Sequence, residues 1–116
     1  MTSRLVVRKL ITVICESCLE DAITKAATEI GASGFTVSDA RGSGAHGLRD
    51  GSWPENANIR IDILCDEAIA SRILDLLIDT YYAHYKLVTF VADVGVLRPE
   101  KFQCSTSSNQ KRSADE

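Results

Sequence analysis

No apolar run in this chain approaches the roughly 20 residues that cross a bilayer. The opening stretch MTSRLVVRKLITVIC interrupts its hydrophobic residues with Arg4, Arg8 and Lys9, unlike the apolar stretch of a secretory leader. On that pattern the chain reads as cytoplasmic. An excess of positive charge is also missing: 13 Lys and Arg against 16 Asp and Glu leave a formal net charge of -3. Without a strongly basic face, few counterions would be released from a nucleic acid, which argues against nucleic acid as the main partner. Metal-ligand spacing is absent too. One C-x-x-C, Cys15-Glu16-Ser17-Cys18, has no second pair, and His46 and His84 stand far apart in the sequence. The pair reads as a redox couple, as half of a zinc site, or, at the end of an apolar strand, as ordinary small hydrophobes. What remains is one domain of 116 residues whose 45% hydrophobic content supports a modest core.

Periodicity orders the chain. Residues 5–15 are apolar on both alternations, which predicts a strand covered on two faces. Ser17 and Glu20 form an S-x-x-E pattern that predicts a capping box. The helix that follows presents Leu19, Ala22, Ile23, Ala26, Ala27 and Ile30 on one side and stops at Gly31. Residues 35–40 read as a second strand and residues 58–65 as a third, with Ile59, Ile61 and Ile63 alternating against Arg60 and Asp62. Asp66 is placed to cap a second helix whose apolar side runs Ile69, Ala70, Ile73, Leu74, Leu77, Ile78 and Tyr81. Residues 87–97 form the last strand, and the polar residues 105–116 read as a disordered tail after a domain spanning residues 1–104.

The order β-α-β-β-α-β predicts an α+β, ferredoxin-like fold: a four-stranded antiparallel sheet with two helices on one face. The first and last strands are apolar on both faces, so a monomer would expose an apolar sheet surface. A closed ring of copies would bury it and create clefts between subunits.

Between the second and third strands, residues 41–57 form a basic, glycine-rich loop. Gly42, Gly44, Gly47 and Gly51 sit among Arg41, Ser43, His46 and Arg49. Glycines bring backbone N–H groups close to an anion, and arginine supplies a planar charged fork that matches phosphate. The loop reads either as a phosphate grip or as a flexible hairpin tip, since its spacing matches neither the Walker loop nor the dinucleotide fingerprint.

These features resemble the PII signalling superfamily, over about residues 6–103. The segment Gly34-Phe35-Thr36-Val37-Ser38-Asp39-Ala40-Arg41-Gly42-Ser43-Gly44 is similar to that family's approach to its T-loop. Ala57 to Ile61 and the Val96-Leu97 to Phe102 ending resemble the PII-like proteins of inorganic-carbon metabolism, the carboxysome-associated CPII and the SbtB groups. The resemblance implies a homotrimer that binds adenine nucleotide in intersubunit clefts and, with bicarbonate, regulates carbon uptake or carboxysome function through the T-loop, about residues 41–57. It also implies a bicarbonate transporter or carboxysome-related protein as partner and no required cofactor. Carried over by position, Gly34, Phe35 and Thr36 would lie beside base and ribose, and Asp62 and Leu64 would line the adenine slot. Arg41, Gly42, Ser43, Gly44, Lys86 and Arg98 or Lys101 would meet the phosphates, with His46 and Arg49 as effector-anion candidates in the loop.

Where the family has a G-D-G-K phosphate loop, this chain has Ala83-His84-Tyr85-Lys86, and the terminal R-x-R is missing, which favours ADP and AMP over ATP, with cyclic AMP a further possible ligand. Residues 41–57 contain no tyrosine for uridylylation, and Cys104 alone stands where SbtB proteins often carry a two-cysteine redox loop, so CPII is the nearer likeness. Two other functions fit the same sequence. One is a nucleotide-hydrolysing enzyme with His46 or His84 as general base, and the other is a structural CutA-like trimer that binds no nucleotide.

Overall fold

The computed structural model describes residues 4–44, 47–49 and 58–97. β1 (Val6–Glu16) passes through a 3-10 turn, Ser17–Leu19, into α1 (Glu20–Ile30). β2 (Thr36–Ala40), the short strands β3 (Gly42–Gly44) and β4 (Gly47–Arg49), β5 (Asn58–Cys65), α2 (Glu67–Thr80) and β6 (Val88–Val96) follow. Four of these strands make an antiparallel sheet in the order β2-β5-β1-β6. With two helices on one face, this is the ferredoxin-like arrangement expected from the element order.

Strand register explains the core. Val13 lies opposite Ile61 and Ile11 opposite Ile63, so the odd-numbered positions of β1 and β5 share the face that the helices cover. Ile11, Val13, Cys15, Ile59, Ile61 and Ile63 pack there with Leu19, Ile23 and Ala27 from the first helical segment and Ile69, Ile73 and Leu77 from α2. At the rim of this face Lys9 and Asp93 form an ion pair at 2.6 Å across β1 and β6. The Asp93 carboxylate, which accepts the ammonium proton, raises the Lys9 pKa.

The helix ends follow from local chemistry. Asp66 caps α2 as expected, its carboxylate accepting from the Ile69 N–H at 2.9 Å. Gly31 ends α1 at φ 133°, a conformation that a side chain disfavours, and its N–H donates to the carbonyls of Ala27 and Thr28. A Cβ there would also approach the Ile69 side chain to 3.2 Å.

Three expectations need correction. The Ser17–Glu20 capping box does not form: the 3-10 turn engages Ser17 through its carbonyl, which accepts the Glu20 N–H, and Leu19 occupies the cap position of α1 with no side-chain bond. Ala22 is exposed, and Thr24 takes a buried place on α1 because its hydroxyl donates to the Glu20 carbonyl at 2.8 Å, removing the penalty of burying it. Ile78, counted among the apolar face of α2, is 61% exposed, because α2 here overhangs the edge strand β6. The loop also carries the β3–β4 hairpin, which pairs Gly42 with Arg49 and Gly44 with Gly47.

This packing can be tested at two residues. Ile61 is fully buried at the centre of the sheet, so Ile61→Ala should lower unfolding free energy by about 2–5 kcal/mol in a urea titration. Burial pushes the Cys65 thiol from an ordinary 9.0 up to about 11. Above pH 9 the unfolded chain has released this proton and the folded chain has not, so the contribution is intact below pH 9 and declines towards pH 11. Stability measured over that range should fall more steeply for wild type than for Cys65→Ala, and parallel profiles would contradict the assignment.

Candidate functional site

The sheet face away from the helices is built from the even-numbered positions of β1, and its side chains run in rows across the strands. One row is Thr36, Asp62, Thr12 and Phe90, and the next is Ser38, Arg60, Ile14 and Val88. On the other side of the first row lie Leu64, Leu10 and Ala92. This open face is largely apolar over β1 and β6 and carries a connected polar group at its middle. Thr12 is fully buried and donates its hydroxyl proton to Asp62 Oδ1 at 2.7 Å. From the other side, Arg60 Nε donates to Asp62, lying 3.0 Å from Oδ2 and 3.2 Å from Oδ1. Thr12 sits among apolar neighbours at no desolvation penalty because Asp62 accepts its proton, and Arg60 compensates the carboxylate charge.

Thr36, Asp62 and Leu64 are therefore brought onto one face, as a shared adenine slot requires. Phe35 is 45% exposed beside the start of β2. A Cβ at Gly34 or at Gly42 would meet nothing within 4 Å, so packing inside this chain does not require glycine at either position. Thr12 and Arg60 were missed from the sequence. The available signal was a lone threonine on an apolar strand, facing the two charged positions of the third.

The phosphate candidates are arranged differently. Arg41 follows β2 and Lys86 precedes β6, both exposed. Ala40 pairs with Asn58, Asn58 with Glu16, and Ile14 with Val88, which sets both cations at the same end of the sheet. They stand on opposite edges, and three interstrand spacings of about 4.8 Å separate those edges by about 14 Å. Ser43, Gly44 and Arg49 are placed by their backbone in the β3–β4 hairpin. His46, Arg98 and Lys101 lie outside the described residues, as does the expected tail at 105–116.

At the position of the family's phosphate loop the chain makes a tight turn. The His84 and Tyr85 N–H groups both donate to the Tyr81 carbonyl, at 3.1 and 3.0 Å, and the Tyr82 N–H donates to Leu77. The Tyr81 and Tyr85 rings pack at 6.0 Å, and the Tyr82 hydroxyl donates to Thr89 Oγ1 at 2.8 Å. The His84 and Tyr85 backbone donors are thus used within the turn, and Lys86 carries its charge on its side chain. Beside the turn, α2 and β6 enclose an apolar groove of about 380 Å³ lined by Leu74, Ile78, Tyr82 and Phe90 among others. Cys15 is buried and Cys18 exposed, its thiol 3.8 Å from Glu16 Oε1. Among the described residues no group of three His, Cys, Asp or Glu side chains is arranged to hold a metal, and no helix is long and apolar enough to cross a membrane.

Comparison with known proteins agrees with this architecture. A PII-like signalling protein from Thermus thermophilus, described as putative in its structure, is 40% identical over 84% of this chain and 97% of its own, with a TM-score of 0.74. CPII from Thiomonas intermedia K12, a nitrogen regulatory PII-like protein solved with ADP, AMP and bicarbonate, is 27% identical over 85% of this chain and 96% of its own, with a TM-score of 0.77. A second CPII structure, with ADP and bicarbonate, is also 27% identical over 84% and 96%, with a TM-score of 0.76. The family model for nitrogen regulatory protein P-II matches residues 8–101, most of the chain and all four strands of the main sheet. The chain belongs to the P-II family and is a PII-like protein of the CPII type.

Proposed function

We propose that this protein is a non-catalytic, cytoplasmic regulator that binds ADP or AMP in preference to ATP, together with bicarbonate, in clefts between the subunits of a homotrimer. The nucleotide state is read through residues 41–57 by a partner in inorganic-carbon uptake or the carboxysome. The observation that carries this reading is the similarity to CPII, whose structures hold ADP, AMP and bicarbonate. Three features of the chain support it. Thr36, Asp62 and Leu64 share the open face beside Phe35, Gly34 leaves space unfilled, and Arg41 and Lys86 start from opposite edges. Opposite edges of one sheet become neighbours where two copies meet around a ring.

The preference for shorter phosphate chains rests on the turn before β6. Without a glycine loop wrapping a third phosphate, binding relies on Lys86 and Arg41 with Gly42, Ser43 and Gly44. Arg98 or Lys101 would supply further charge from beyond β6, and His46 and Arg49 would meet the effector anion. Catalysis is not part of the reading. The His84 imidazole is exposed and has no hydrogen-bonded carboxylate among the described residues to orient it as a base.

Calorimetric titration with ADP, AMP, cyclic AMP and ATP, with product analysis, should show saturable ADP and AMP binding and intact nucleotide. Turnover would point to an enzyme, and no binding to a structural trimer. Arg41→Ala combined with Lys86→Ala should weaken ADP by at least about 10-fold, since each charge-assisted bond is worth about 1.5–3 kcal/mol. Unchanged affinity would remove both residues from the site. If bicarbonate helps order the loop over ADP, saturating bicarbonate must raise ADP affinity by the same factor that ADP raises bicarbonate affinity. Equal ADP affinities with and without it, at fixed pH and ionic strength, would rule out the coupling.

A further inference from the structure

The open face holds a buried guanidinium N–H that the described residues do not satisfy. Thr12, Asp62 and Arg60 bond to one another at the centre. Arg8 lies on the same face, two positions before Leu10 and opposite Val94 of β6. One arm of its guanidinium, Nη1, donates to the Val7 carbonyl at 2.8 Å, which holds the group down on the sheet. Its Nε is buried and has no acceptor among the described residues. A buried N–H of a permanently charged group without an acceptor carries a penalty that native structures rarely leave standing. Among the described residues none supplies that acceptor, which points to a partner outside the sheet's own strands.

The surface around Arg8 indicates the source. Leu10, Ile14, Leu64, Val88, Phe90 and Val94 make the β1 and β6 part of this face largely apolar around the central polar group. Four strands spaced about 4.8 Å, with about 3.3 Å per residue along a nine-residue strand, give a surface on the order of 500 Å². That equals the largest patch an ordinary monomer leaves in water, about 300–600 Å². Phe90 belongs both to this face and to the α2–β6 groove, so the apolar surface continues around the β6 edge. A small anion would satisfy Arg8 but leave this area wet. A second copy of the chain satisfies both.

We infer that Arg8 is an intersubunit anchor, its Nε donating to a carbonyl or carboxylate oxygen of the second copy of this chain that covers the open face. This deepens the trimer reading above by naming a residue whose bonding is completed only in the assembly. Because the bond must be made at one place, it fixes how one copy sits on the next, which apolar contact alone does not. Arg8 lies at the end of β1 away from Arg41 and Lys86, so it acts on assembly and not on nucleotide phosphates.

The test compares wild type, Arg8→Met and Arg8→Gln by light scattering and mass photometry across nanomolar to micromolar concentrations, with ADP titrations in parallel and circular dichroism as a folding control. Wild type should assemble, and Arg8→Met should weaken association by about 10- to 100-fold, the loss expected for a charge-assisted bond. Arg8→Gln supplies the same readout if the methionine variant fails to fold. Association of the variants at wild-type strength overturns the inference, as does a wild type that stays monomeric. Normal assembly with lost ADP affinity also overturns it, by making a bound anion the acceptor. Assembly that depends on Arg8 in a protein that binds no ADP supports this inference while removing the nucleotide reading.

Discussion

β1 is apolar on both faces, and only one of them is covered by helices. Ile11, Val13 and Cys15 point into a closed core, while Leu10 and Ile14 face outward beside Leu64, Val88 and Phe90. Because side chains alternate strictly along a strand, no shift of register can hide both sets at once. Burial of the helix face stabilises the single chain, and the apolar open face directs that chain toward another copy. The buried Thr12–Asp62 bond and the Arg60 ion pair are tolerable on such a face because they complete one another.

The same geometry separates the components of the proposed binding site. Base-facing candidates gather at β2 and β5, whereas the cations that would meet phosphate start from the two edges of the sheet. A ring of copies brings unlike edges together, so assembly and ligand binding share one requirement. In the proposed cleft, the turn from Tyr81 to Tyr85 would set the character of the phosphate end. The Tyr81 and Tyr82 N–H groups are bonded to Leu77 and those of His84 and Tyr85 to Tyr81, and the charge beside the turn sits on the flexible stem of Lys86. A phosphate site built there, as proposed, would have a cation without the preorganised donor array that favours a triphosphate.

Much of the fold was legible because it rests on periodicity and on local chemistry. The isoleucines at 59, 61 and 63, the Asp66 cap and the Gly31 stop each act through neighbours a few residues away. What was not legible depends on competition or on pairing. Ser17 had the side chain for a capping box, but a 3-10 turn took its carbonyl first. Thr24 displaced Ala22 from the buried side of α1 by satisfying its hydroxyl on the preceding turn. Ile78 matched the helical period yet overhangs an edge that only the sheet order defines. The grouping of Thr12 with Asp62 and Arg60, and the unmet Nε of Arg8, required the register of β1 against its neighbours. Alternation shows which residues share a face of one strand and not which residue stands opposite.

Nucleotide binding that depends on the contact between copies is the central claim, and native mass spectrometry of the full chain with ADP tests it directly. The predicted spectrum shows trimers carrying up to three ADP molecules and monomers carrying none. Monomers that hold ADP as well as the assembled form does, or trimers that take up none at saturating concentration, would contradict it.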